Sequence, residues 1–209
     1  MKVDTRPAVL LLRSFVDDAL ELPRESTEVD RFTFEEALTH ELWRWGPVVA
    51  IGRPGEDLPL AGAAREYRTN EDWRGRITKF LEHARCVVFV VHKTEGLRWE
   101  LQEIRKSGCL FKTIFVVPPL QNEDAKQRWS GLWQDDPVCQ DHTSLPGGIA
   151  VFLKADAETE VAIRASAAIP TADDYDLGIE LAMRIISGYV SSLQNEAERS
   201  MTASGGIAS

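Results

Sequence analysis

Cysteine is scarce in this chain: Cys86, Cys109 and Cys139 stand far from one another and from any histidine at ligand spacing. Neither a disulfide framework nor a zinc site of C-x-x-C type is encoded, and idle or buried thiols are expected. No stretch approaches the roughly 20 apolar residues of a membrane span. The apolar run that begins at Ala8 is interrupted by Arg13, and no small-residue cleavage site follows it, which reads as a cytoplasmic protein. Positive charge is in deficit, with a formal net charge of -9, so phosphate backbones are repelled at long range and nucleic acid is not expected as the main partner. Short motifs are missing as well. There is no G-x-x-x-x-G-K-[ST], no glycine in the turn after the first apolar run, no H-E-x-x-H and no G-x-S-x-G. A Walker ATPase, a Rossmann dehydrogenase, a metal site and a serine hydrolase are therefore disfavoured. His40, His83 and His142 read as surface or packing residues.

What is present is enough apolar residue, 44% of 209, to bury the core of one domain. Five short runs read as strands: Ala8–Phe15, Val48–Ile51, Cys86–Val91, Thr113–Val117 and Ile149–Leu153. They are nearly continuous in hydrophobicity, as strands covered on both faces are. Helical spacing fills the gaps between them. Thr33 and Glu36 form a capping-box pair ahead of Phe34, Ala37, Leu38 and Leu42, and Asn70 stands ahead of Trp73, Ile77, Phe80 and Leu81. Leu97–Lys106 and Glu123–Gln134 continue the series, and Leu177, Leu181, Ile185, Tyr189 and Leu193, four residues apart, suggest a closing helix. Strands too far apart for hairpins, alternating with helices, predict right-handed crossovers and a five-stranded parallel sheet. The expected architecture is a flavodoxin-like three-layer α/β/α fold of strand order 2-1-3-4-5, one domain over residues 1–198 with a disordered tail at 199–209.

In such a sheet ligands bind beyond the carboxyl ends of the strands where the order reverses, which selects the turns after the first and third strands. The first carries Arg13, Ser14, Phe15, Asp17 and Asp18; the third leads through Thr94-Glu95-Gly96-Leu97-Arg98 to Trp99 and Glu100. Glu100 is expected in the first turn of its helix, facing the crevice beside an indole. The residues alone leave open a plain alternative, a carboxylate near a helix start that stabilises the dipole by ~0.3 to 1 kcal/mol. Glu103 competes for the same role, and Glu95 reads as a loop charge. Arg53, between Gly52 and Pro54-Gly55, suits either a phosphate contact or an ordinary turn.

These three regions together resemble the signature regions of Toll/interleukin-1 receptor (TIR) domains: Ser14 to Asp18 after the first strand, Pro54-Gly55 after the second, and Thr94 followed by Glu100-Leu101 after the third. The resemblance spans about the first 155 residues. The family's third region usually has a Trp-Cys pair before Glu-Leu; here Trp99 touches Glu100 directly, and anchoring on the tryptophan selects Glu103. The stretch Gly96-Leu97-Arg98-Trp99-Glu100-Leu101 is also similar to the glutamate loop of nucleoside 2-deoxyribosyltransferases. Both resemblances imply cleavage of an N-glycosidic bond. They imply NAD as substrate rather than as resident cofactor, Glu100 as the catalytic carboxylate, Trp99 and Phe15 as apolar walls, and Arg13, Ser14, Arg53 and Thr94 as binding residues. They further imply self-association or pairing with another TIR-like domain, and, as the alternative, a noncatalytic signalling module that uses the same loops for protein contact.

Overall fold

The computed structural model describes residues 4–14, 17, 20–22, 33–51, 64–66, 73–133, 149–154, 160–164 and 170–204. Among these, seven strands form one sheet: β1 (Val9–Leu12), β2 (Val48–Ile51), β3 (Ala64–Glu66), β4 (Cys86–Val90), β5 (Thr113–Val116), β6 (Ile149–Lys154) and β7 (Glu160–Arg164). Their order is β3-β2-β1-β4-β5-β6-β7. The five expected strands thus stand in the expected order. The first four pair parallel, as does the short β3 at the edge, which sequence did not reveal.

The fifth expected strand, β6, departs from expectation by running antiparallel to β5, and β7 pairs antiparallel with it. An apolar run such as Ile-Ala-Val-Phe-Leu reads alike in either direction, so its hydrophobicity carried no information about polarity.

Residues of β1, β4 and β5 are no more than 2% exposed, because helices cover both faces. On one face Val9, Leu11, Cys86, Val88, Val90, Ile114 and Val116 meet α1 (Phe34–Leu42) and α5 (Ala172–Ser204). On the other, Leu10, Leu12, Val87, Phe89 and Phe115 meet α2 (Trp73–His83), α3 (Glu95–Lys106) and α4 (Asn122–Trp133). Each large apolar side chain buried this way contributes about 1.5 to 3 kcal/mol of transfer free energy, so the central strands anchor both layers.

Helix α1 starts where expected. The Thr33 side chain accepts from the Glu36 amide at 3.2 Å while the Thr33 amide donates to the Glu36 carboxylate at 2.8 Å. Thr171 and Asp174 make the same reciprocal pair at the start of α5, and Asn70 lies outside the described residues. At the far end of α2, the Lys112 amine donates to the carbonyls of Leu81 and Ala84 at 2.7 and 3.0 Å, which satisfies helix-end acceptors and favours a cation there.

The apolar stripe expected on α5 is corrected. Leu177 and Leu181 are 56% and 40% exposed, and the core-facing residues are Tyr175, Ile179, Ala182, Met183 and Ile186. A constant spacing of four advances about 40° per step around a helix of 3.6 residues per turn, so it leaves the core face, whereas mixed steps of three and four stay on it. The helix also continues to Ser204, past Arg199 where a disordered tail is expected. Ser200 to Ser204 contain no helix breaker, and the first one is Gly205-Gly206.

Two glycines offer a test of local packing. A Cβ at Gly46, in the turn from α1 to β2, would collide with the Pro7 carbonyl oxygen, whereas a Cβ at Gly75 in α2 meets nothing within 4 Å. Chemical denaturation should show Gly46→Ala destabilised by about 1 to 3 kcal/mol through backbone displacement. Gly75→Ala should be stabilised by about 0.5 to 1 kcal/mol.

Candidate functional site

Strand β1 leads through α1 to β2 on one side of the sheet, and β4 leads through α3 to β5 on the other, with α1 and α3 on opposite faces. The chain therefore leaves the carboxyl ends of β1 and β4 in opposite directions, and a crevice opens between them. Leu12 stands opposite Phe89, so Ser14 falls level with Val91, three residues before Thr94.

Alternation along β1 decides where its next side chains go. Leu11 faces α1 and Leu12 faces the α2–α4 layer. Arg13 continues to the α1 side, where its Nη2 donates to Glu35 Oε1 at 2.8 Å, with the two side chains 6% and 3% exposed. The guanidinium expected near a phosphate is instead committed to a buried ion pair that ties β1 to α1. Ser14, also buried, accepts through its carbonyl from the Asp17 amide at 3.1 Å. The Asp17 carboxylate then accepts from Arg128 Nη1 of α4 at 2.7 and 2.8 Å. Phe15 and Arg53 lie outside the described residues.

The second wall is α3. Thr94 caps it, its hydroxyl accepting from the Leu97 amide at 3.3 Å. Leu97, Leu101 and Ile104 enter the core. Trp99 and Glu103, four residues apart, turn toward α2: the Trp99 ring meets Trp73 edge-on at 4.8 Å, the Arg74 guanidinium lies 5.1 Å from the Trp99 ring centre, and Glu103 Oε1 accepts from the Thr78 hydroxyl at 3.3 Å. Trp99 thus packs between the two helices, and Glu103 is engaged by Thr78 and, at 3.5 Å, by Lys106.

Glu100 lies between those two stripes on the surface of α3. It is the sixth residue of the helix, which places it in the second turn rather than the expected first, so the helix dipole does little for it. Part of the side chain reaches solvent, but Oε2 is buried and has no hydrogen-bond partner. Burial pushes its carboxyl up to about 8, because the charged form loses hydration and gains no cation in return. Burial also pushes the Cys86 thiol up to about 12, as expected for an idle cysteine.

Compared with protein-family models, with curated proteins and with solved structures, the chain matches none. Its site therefore has to be read from its own geometry. That geometry brings Ser14, Thr94 and the start of α3 to one edge, with Glu100 one turn deeper, and removes Arg13 from it. Among the described residues no cluster of metal-ligating side chains occurs. Glu35, which draws Arg13 away, and His92 and Arg128 are charged or titratable groups that the sequence did not single out. Glu35 sits beside the capping Glu36 and looked like one more first-turn acid, and Arg128 carries no local signal for a partner 111 positions away.

The raised Glu100 carboxyl has a consequence for stability. The folded state holds this proton up to about pH 8, whereas the unfolded chain releases it near the ordinary value of 4.5. Its contribution therefore falls as pH rises through that interval. Glu100→Gln, which has nothing to ionise, should match the parent near pH 4.5 and exceed it by on the order of 2 to 4 kcal/mol above pH 8. Urea unfolding at the two pH values measures the difference.

Proposed function

We propose that this protein is a TIR-like hydrolase that cleaves the bond between nicotinamide and ribose in NAD. The observation that carries the reading is the buried, unpartnered Oε2 of Glu100 in α3, the helix that follows β4. A carboxylate left without a cation destabilises the fold, and such strain is common where a charge is held in readiness for chemistry. NAD brings the missing partner, since its pyridinium ring is positively charged beside the bond to be broken. Binding would draw the Glu100 proton off, and the resulting carboxylate would stabilise the oxocarbenium-like transition state. Nicotinamide leaves as a neutral molecule, so the reaction requires no strong general acid. Ser14 and Thr94, which follow β1 and β4, would contact ribose hydroxyls or phosphate oxygens. Glu103, already hydrogen-bonded to Thr78, fits the role less well.

Nicotinamide release from NAD tests the reading under conditions that promote self-association. The parent should be active, with kcat/KM rising between about pH 7 and pH 9 as the free-enzyme carboxyl ionises. Glu100→Gln should lose at least about 100-fold, while Glu103→Gln should stay within about threefold of the parent. Nicotinamide release at the parental rate by Glu100→Gln removes the residue from the mechanism. A parent that is silent when fully associated favours a noncatalytic module.

A further inference from the structure

A notch in α4 lies against the segment that follows β4. Gly131 stands in the last turn of that helix and is buried, close to Trp129 and Leu132, which enter the core. A Cβ at Gly131 would lie 2.8 Å from Lys93 Cδ, 3.1 Å from Cε and 3.4 Å from Cγ. The lysine stem therefore runs across α4 where the glycine has no side chain, and a larger residue would displace it. Lys93 is nonetheless exposed, which leaves its stem on protein and its ammonium in water.

The fold gives this ammonium a particular place. Lys93 stands three residues past Val90, the last residue of β4, and directly ahead of the Thr94 cap of α3. Arg128, three residues before Gly131 and so on the same side of α4, reaches Asp17 beyond β1 at 2.7 Å. One side of α4 thus touches the chain beyond both strands that flank the crevice. Arg13 is committed to Glu35 and Arg128 to Asp17. Lys93 forms no ion pair among the described residues, Glu95 included, so it is a cation at this edge that no carboxylate neutralises. In a chain of net charge -9, an anionic ligand gains little long-range attraction, and a fixed local cation matters all the more.

We propose that Lys93 binds a phosphate group of the ligand that enters the β1/β4 crevice, and that Gly131 is the positioning residue that holds the ammonium there by admitting the lysine stem. An ammonium meets phosphate oxygens as a compact charge with three donors. Seating the stem on α4 removes rotamers before the ligand arrives, so less freedom is lost on binding. The ligand class is one that carries a diphosphate; its assignment as NAD rests on the glycosidic reading, whereas the anion contact does not.

Calorimetric titration of the full chain at low ionic strength, with inorganic diphosphate and with ADP-ribose as probes, tests the contact without requiring turnover. The parent should bind both. Lys93→Gln should weaken both by at least about tenfold through loss of a charged hydrogen-bond donor. Lys126→Gln, which removes the same charge from an exposed lysine paired with Glu123, should stay within about twofold of the parent because solvent and salt screen it. Gly131→Ala keeps the charge but displaces it, and should weaken binding by about threefold or more. Its urea midpoint should be no lower than the parent's, since alanine favours the helix and the displaced atoms belong to a flexible stem. Added to Lys93→Gln, Gly131→Ala should change binding no further, because the glycine acts through the lysine. A parent that binds neither probe, parental binding by Lys93→Gln, an equal loss in Lys126→Gln, or a full separate effect of Gly131→Ala on the Lys93→Gln background would each overturn the proposal. Binding that follows this pattern in a parent that leaves NAD intact supports the anion contact and removes the glycosidic reading alone.

Discussion

Complete burial of β1, β4 and β5 on both faces is the constraint on which the rest of the structure depends. A strand with neither face in water needs a helical layer on each side, and helices joining parallel strands supply both layers with one chain path. Here α1 and α5 seal one face and α2, α3 and α4 the other. Because β1 and β4 are neighbours whose helices leave to opposite faces, the crevice at their carboxyl ends follows from the way the sheet is covered.

The same burial governs the polar groups at the sheet edges. A charge there has no water to solvate it and must find a protein partner or give up its charge. Arg13 finds Glu35, Asp17 finds Arg128, and the Lys112 amine finds two carbonyls at the end of α2. The first two pairs brace the carboxyl ends of the strands, and Lys112 ties the amino end of β5 to α2, each across many residues. Glu100 stands apart within this pattern. Its Oε2 is buried, and the carboxyl holds its proton instead of acquiring a partner. Burial likewise holds the His92 imidazole below its ordinary value.

Local sequence was a reliable guide wherever the governing interaction is local. Thr33 and Glu36 marked the start of α1 because both halves of a capping box lie within four residues. The runs at Val9, Val48, Cys86 and Thr113 marked the central strands because double-sided burial demands apolar residues in succession. The edge that would bear a ligand followed from the order of those strands. The errors arose where local pattern is silent. An apolar run has no direction, so β6 was expected parallel; a four-residue repeat drifts around a helix, so Leu177 and Leu181 were assigned to the wrong face of α5.

The sequence by itself therefore determined the class of fold and the central strands, because periodicity and capping act over a few residues and depend little on what lies across the molecule. Tertiary structure alone decided which charges are left over. Arg13 is withdrawn from the crevice by a glutamate 22 positions away and Asp17 is held by an arginine 111 positions away, and neither pairing has a local signature. Whether a carboxyl such as that of Glu100 is ionised depends on the water and cations around it, and those are set only when helices from distant parts of the chain close over the sheet.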